Sequence, residues 1–263
     1  MSAITIYPSL RDKVVLISGG AEGIGAAAVE LFCRNHARVV FLDIGTAPAE
    51  ALIAHVKTSY PDVPAPVFLH CDVTDLARVK DCADKVIDNF GTIHVLVNNA
   101  WAGGPGTKAP TSDITPESFE VDVNGGLRHQ FFLTQAIVPA MRRQRAGSII
   151  NMGSISWCIA ATETPIYSTC KAAILGMTRV HSKEFGPDGI RVNSVMPGSI
   201  ATRRQKEQVL TDEYRDKTLA AQSLKRVLEP ADVAPLIVFL ASDDASAITG
   251  GSHVVDGGWV SNP

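Results

Sequence analysis

Tyr167 and Lys171 stand four positions apart in a stretch that reads as helical, so their side chains share one face. A free tyrosine titrates near pH ~10 and is a poor base at neutral pH. A lysine ammonium beside it favours the phenolate and moves the phenol toward general acid/base work. Ser154 lies 13 residues before Tyr167, just past an apolar run, where its hydroxyl would hold a substrate oxygen beside the phenol. A Tyr-x-x-x-Lys pair alone is a common helix-surface pattern. It acquires meaning here from Ser154 and from a second motif near the N-terminus.

That motif is Ser18-Gly19-Gly20-Ala21-Glu22-Gly23-Ile24-Gly25, which joins a β-branched run to an amphipathic stretch. Glycines at 19, 23 and 25 permit a tight turn and a close backbone approach to a ligand, and the following helix offers free N–H groups to a pyrophosphate. Asp43 closes the next apolar run, 18 residues after Gly25. An acid there accepts hydrogen bonds from adenosine ribose hydroxyls and repels a 2′-phosphate; otherwise it is a solvated strand end. No Arg or Lys follows it directly, and Glu22 adds a second negative charge, so NAD is expected over NADP. Asp72 closes the third run, where it either bonds the adenine amino group or caps the turn.

Apolar runs alternate with amphipathic stretches along the chain. Strands are expected at 13–18, 38–43, 66–71, 93–98, 148–152, 190–196 and 251–255. Helices are expected at 24–35, 47–59, 75–89 (with Thr74 as N-cap), 164–186 and 231–241, and a long helix or a pair at 116–143. Continuous apolar strands separated by helices imply a parallel sheet covered on both faces. The expected fold class is α/β: one domain over 1–263, a Rossmann-like doubly wound parallel sheet of about seven strands with helices on both faces. Each motif falls at a strand C-terminus, where ligands of such sheets bind.

Of 263 residues, 46% are apolar, enough for a large core, and the net charge of -3 gives no basic stripe for nucleic acid. The N-terminal stretch has no apolar h-region, and no run is long enough to span a bilayer. Five cysteines without a CxxC pair fit reduced thiols in a cytoplasmic protein. No His/Cys/Asp spacing suggests a metal, and no GxSxG elbow suggests acyl hydrolysis.

Over almost its whole length the sequence resembles the short-chain dehydrogenase/reductase family, through SGGAEGIG at 18–25, Asp43, CDV at 71–73, NNA at 98–100, Asn124, Ser154, YSTCK at 167–171 and PGSIAT at 197–202. The resemblance implies an NAD-dependent oxidoreductase acting on CH–OH groups, with Tyr167 as acid/base and Lys171 tuning it and binding the nicotinamide ribose. It implies that Ser154 positions substrate and that Asn124 holds a water of a proton relay. The cofactor would meet Gly19, Gly23, Ile24, Gly25, Asp43, Asp72, Val73, Asn98, Ala100, Tyr167, Lys171, Pro197, Ile200 and Thr202, the last two at the nicotinamide carboxamide. A homotetramer is implied, the helices of 116–143 and 164–186 packing against their copies. The chain departs from the family at Trp101, where NNAG reads NNAW, and at Ser18, where Thr is commoner.

Finer pieces resemble the bacterial aldose 1-dehydrogenases of that family: YPSL at 7–10, MGSISW at 152–157 and ATRRQ at 201–205. They imply a small-molecule sugar substrate, a pentose such as D-xylose or L-arabinose, oxidised at the anomeric carbon to the lactone. The alternative is an alcohol/ketone oxidoreductase of a polyol, cyclic ketone, steroid or 3-oxoacyl substrate. Trp101 and Trp157 fall on loops facing the site, where they would stack on a sugar or serve lid packing or a subunit contact. The charged segment 202–225 sits where the family keeps a substrate lid, and none of its charges is given a substrate role.

Overall fold

The computed structural model describes residues 4–208 and 211–260. Val14–Ser18 forms β1, with all five residues buried. Its side chains alternate between two cores. Val15 and Ile17 pack with Ala28, Val29 and Phe32 of α1 (Gly23–Arg34), while Val14 and Leu16 pack with Val79 and Val86 of α3 (Leu76–Phe90). Burying one such side chain contributes roughly 1.5–3 kcal/mol, so a strand covered on both faces is fixed in register by both cores. The other strands are β2 (Arg38–Asp43), β3 (Val67–His70), β4 (Val95–Asn98), β5 (Gly147–Met152), β6 (Ile190–Pro197) and β7 (Ser252–Val255). They form one parallel sheet in the order β3-β2-β1-β4-β5-β6-β7. The order reverses between β1 and β4, which opens a crevice beyond their carboxyl ends.

Helix α2 (Thr46–Ser59) and α9 (Pro230–Ala241) lie on the α1 side, and α5 (His129–Gln144) shares the α3 side. Helix α6 (Pro165–Phe185) carries the tyrosine and the lysine. The segment 116–143, expected as one helix or two, is α4 (Pro116–Val123) and α5 joined without a break by a π-helical turn, Asn124–Arg128. The charged segment 202–225 holds α7 (Arg203–Gln208) and α8 (Asp212–Ala221); its positions 209 and 210 lie outside the described residues. The N-cap of α3 is Asp75, not Thr74: the Asp75 carboxylate accepts from the Arg78 amide at 3.0 Å. Thr74 instead donates to Asp72.

A buried amide chain ties the centre of the sheet to the helices. Asn98 donates through Nδ2 to Oδ1 of Asn151 at 2.8 Å and to Oγ1 of Thr134 at 3.1 Å. Asn151 in turn donates to Oγ1 of Thr178 on α6 at 3.0 Å. Both asparagines are fully buried.

Candidate active site

The glycine turn takes the shape its residues permit. Gly19 and Gly23 have φ of 68° and 58°, the left-handed region that a side chain disfavours. A β-carbon on Gly25 would run into the Gly19 carbonyl oxygen, so α1 packs this close to the turn only without one. Ser18 fastens the turn to β4: its Oγ accepts from the amides of Asn99 at 3.0 Å and Ala100 at 3.1 Å. Asn99 answers by donating through Nδ2 to the carbonyls of Ser18 and Gly19, at 3.1 and 2.7 Å. At the end of β2 the Asp43 carboxylate accepts from the amides of Ala21 and Gly45, both at 2.9 Å. It therefore braces the turn it was expected to serve.

These elements surround a cavity of about 270 Å³. Of the expected cofactor residues, Gly19, Gly23, Ile24, Asp43, Ala100 and Thr202 line it. The cradle fits a dinucleotide: a left-handed glycine turn, a helix start and a carboxylate at the neighbouring strand end sit together. Gly25 supports the turn from behind. Asp72 is engaged as a turn cap, its Oδ1 accepting from the amide and hydroxyl of Thr74 at 2.8 and 2.7 Å. Val73, Pro197 and Ile200 are buried around the site and do not line the cavity. Asn98 is corrected by its surroundings: its side chain belongs to the buried amide chain, and its neighbour Asn99 lines the cavity instead.

The catalytic candidates gather at the other end of the crevice. Tyr167 is half-buried and Lys171 is buried. Burial pushes the phenol's pKa up; the Ser154 hydroxyl, hydrogen-bonded to it, and then the Arg204 guanidinium pull it back, while Tyr214 adds to the rise. The lowering expected from Lys171 thus comes from Ser154 and Arg204. The Lys171 ammonium instead donates to the Met152 carbonyl at 2.7 Å, and burial pushes its own pKa down to about 8. Ser154 Oγ also accepts from the Ser156 amide at 3.1 Å.

Asn124 is the first residue of the π turn, where the helical hydrogen-bond spacing widens. The Gly125 carbonyl of the same turn accepts from the Ala102 amide at 3.0 Å, which ties the 101–104 loop to the helix. Trp101 fits this joint. Its ring meets Tyr167 edge-on, centroids 4.7 Å apart and planes at 80°. A β-carbon on Gly126 would collide with the six-membered ring of Trp101. Among the described residues, the buried indole N–H groups of Trp101 and Trp157 find no hydrogen-bond partner.

Sequence reasoning missed several residues. Arg203 and Arg204 line the cavity just after Thr202, and Arg203 pairs with Glu22 at 2.9 Å. The Glu22 charge is therefore compensated, and the argument against a 2′-phosphate falls mainly on Asp43. His129 is fully buried on α5, and burial, then the Lys171 charge, push its pKa down to about 4. Nothing in a lone His at a helix position signals that. Among the described residues no group of His, Cys, Asp or Glu could hold a metal, and no helix is long and apolar enough to cross a membrane.

Comparison with known proteins agrees with this geometry. The family described as "Enoyl-(Acyl carrier protein) reductase" matches residues 19–260. The chain is 43% identical to a D-xylose 1-dehydrogenase of Caulobacter vibrioides, covering 97% of this chain and 98% of that protein. It is 40% identical to a "Probable galactose dehydrogenase" of Rhizobium meliloti, covering 96% of each. The crystal structure of gox2181 superimposes with a TM-score of 0.89 at 29% identity, covering 96% of this chain and 98% of that one.

Proposed function

The chain belongs to the short-chain dehydrogenase/reductase family of oxidoreductases, and from that premise we propose that it oxidises an aldose at the anomeric carbon with NAD, giving the lactone. The observation that carries the reading is the likeness along nearly the whole chain to two sugar dehydrogenases, one of D-xylose. A pentose such as D-xylose or L-arabinose is the proposed substrate.

NAD in the glycine-lined cavity supplies the hydride acceptor. Gly19, Gly23 and the start of α1 would hold its pyrophosphate, Asp43 its adenosine ribose, and Thr202 its carboxamide end. Ser154 holds the anomeric oxygen. Tyr167 takes the anomeric hydroxyl proton at Oη. Lys171 would hold the nicotinamide ribose and support the phenolate, and Asn124 would lead the proton toward water. Burial raises the phenol's pKa, and the Ser154 hydroxyl and the Arg204 guanidinium oppose that rise without cancelling it. Residues 202–225 serve as the substrate lid.

Exposed Phe119, Phe131, Phe132 and Val180, on α4, α5 and α6, support a homotetramer through these helices. Five free cysteines, four of them buried, support a cytoplasmic setting. The test is initial-rate measurement with pentoses, hexoses, polyols and cyclic alcohols, with NAD and NADP side by side. Expected is NADH formation fastest with a pentose. No NADH from any aldose, with turnover of another class, overturns the substrate. Efficient use of NADP overturns the cofactor.

A further inference from the structure

The Lys171 ammonium is buried, and among the described residues it donates to one acceptor, the Met152 carbonyl at 2.7 Å. An ammonium has three N–H donors, and taking it out of water is costly unless something replaces the water. Two aromatic rings stand near it: its nitrogen lies 5.5 Å from the Trp101 ring centroid and 5.6 Å from that of Tyr167. A cation within about 6 Å of such a ring is attracted by the electron-rich face. Trp101 also meets the Tyr167 ring edge-on at 4.7 Å. One indole thus touches both members of the pair on α6.

The chain makes room for that indole deliberately. The helix between α4 and α5 widens into a π turn at Asn124–Arg128, and two glycines fall inside it. A β-carbon on Gly125 would strike the Ala102 carbonyl, and one on Gly126 would strike the Trp101 ring. The π turn, the two glycines and the tryptophan form one fitted unit.

We infer that Trp101 is a positioning residue of the oxidoreductase reaction: seated over Gly126, its indole fixes the Tyr167 ring edge-on and gives the Lys171 ammonium an aromatic face in place of water. The inference rests on the reading of Tyr167 and Lys171 as the acid/base pair. It assigns Trp101 to the pair, where stacking on the sugar would assign it to substrate.

The groups facing the pair are few. Tyr167 and Cys170 lie on α6 with Lys171, His129 faces it from α5, Arg204 and Tyr214 reach the phenol from the 202–225 segment, and Asp122 reaches Cys170 from α4. Burial holds His129 near 4 and Cys170 near 11, so neither titrates around the Lys171 value of about 8. Burial raises the phenol above its ordinary value, so a change in rate near the lysine's value of about 8 reports the lysine.

The test is the pH profile of kcat/KM for oxidation, with NAD dissociation constants and melting curves for each variant. Activity falls as the ammonium loses its proton, which gives the profile a falling limb near a pH of about 8. Removing the aromatic face destabilises the ammonium, so Trp101→Leu moves the falling limb to lower pH by up to about one unit. The same variant lowers kcat severalfold; Trp101 also lines the glycine-lined cavity, so the NAD dissociation constant is read separately from the limb. Trp101→Phe restores most of the limb. Gly126→Ala displaces the indole and moves the limb the same way. A falling limb that stays put in Trp101→Leu and Gly126→Ala while kcat drops overturns the inference, as does a change confined to the substrate KM. If Trp101→Leu does not fold, Gly126→Ala, which displaces the indole, decides by the same limb. Turnover surviving in Tyr167→Phe defeats the underlying acid/base reading instead, which keeps the two failures apart.

Discussion

Glu22 and Arg203 meet 2.9 Å apart at the mouth of the cavity, one from the glycine turn and the other from the first turn of α7. Their side chains are 40% and 63% exposed, so the pair contributes under about 1 kcal/mol to stability. Its expected influence is on the cofactor. Arg203→Gln leaves an uncompensated carboxylate where a pyrophosphate arrives, and NAD affinity falls severalfold while the melting temperature moves by no more than about 3 °C. NAD titration at two salt concentrations checks this, since the loss shrinks as salt rises. An unchanged affinity at low salt refutes it.

Tyr167→Phe removes one oxygen from the pair and leaves the ring against Trp101. We predict a fall in kcat of about 10²–10⁴, the usual worth of a positioned acid/base, with NAD affinity within about twofold. Single-turnover NADH formation and a binding titration read the two quantities separately. Loss of NAD binding in step with the rate places the residue in the cofactor site instead.

Asp43 serves the turn and the proposed ribose together, so its variants separate by which task they keep. Asp43→Asn retains an acceptor for one of the Ala21 and Gly45 amides but loses the charge. The expected result is a drop in the NAD/NADP ratio of kcat/KM by about tenfold or more, with modest destabilisation. Asp43→Ala leaves two amides without acceptors and costs about 1–3 kcal/mol in urea unfolding as well. A cofactor ratio that does not move in Asp43→Asn contradicts the NAD assignment.

His129 links stability to acid. Its folded pKa is pushed down to about 4 from an ordinary value of 6.5, chiefly by burial. Below the ordinary value the unfolded chain binds the proton that the folded chain refuses. Stability is therefore full above pH ~6.5 and falls as the pH drops toward 4, by about 2 kcal/mol at pH 5. Urea unfolding of wild type and His129→Gln at pH 7 and pH 5 measures it. The variant should lose less between the two pH values; an equal loss refutes the assignment.

How much of this was legible depends on whether a residue's role is local. β1, β2 and β4 were readable because burial on both faces demands unbroken apolar runs, and the glycine turn because only Gly tolerates its backbone. Asp75 won the N-cap over Thr74 by one position, since Thr74 was drawn to Asp72, a choice that no periodicity encodes. Asn98 and Asn99 are adjacent and chemically identical, yet pleating sends one into the sheet and the other to the cavity. The commitment of Lys171 to Met152, the pairing of Glu22 with Arg203 and the seating of Trp101 on Gly126 join residues 19 to 181 positions apart. Such contacts exist only once the sheet has brought its loops to one edge.

The amide chain running from Asn98 through Asn151 to Thr178 gives the molecule an internal ruler. One end is anchored beside the dinucleotide cradle, the other on the helix that carries the phenol, and no ligand need touch either. Shortening or loosening that ruler would leave both partners docked yet hold them at the wrong separation, so that occupancy and turnover part company at residues remote from both.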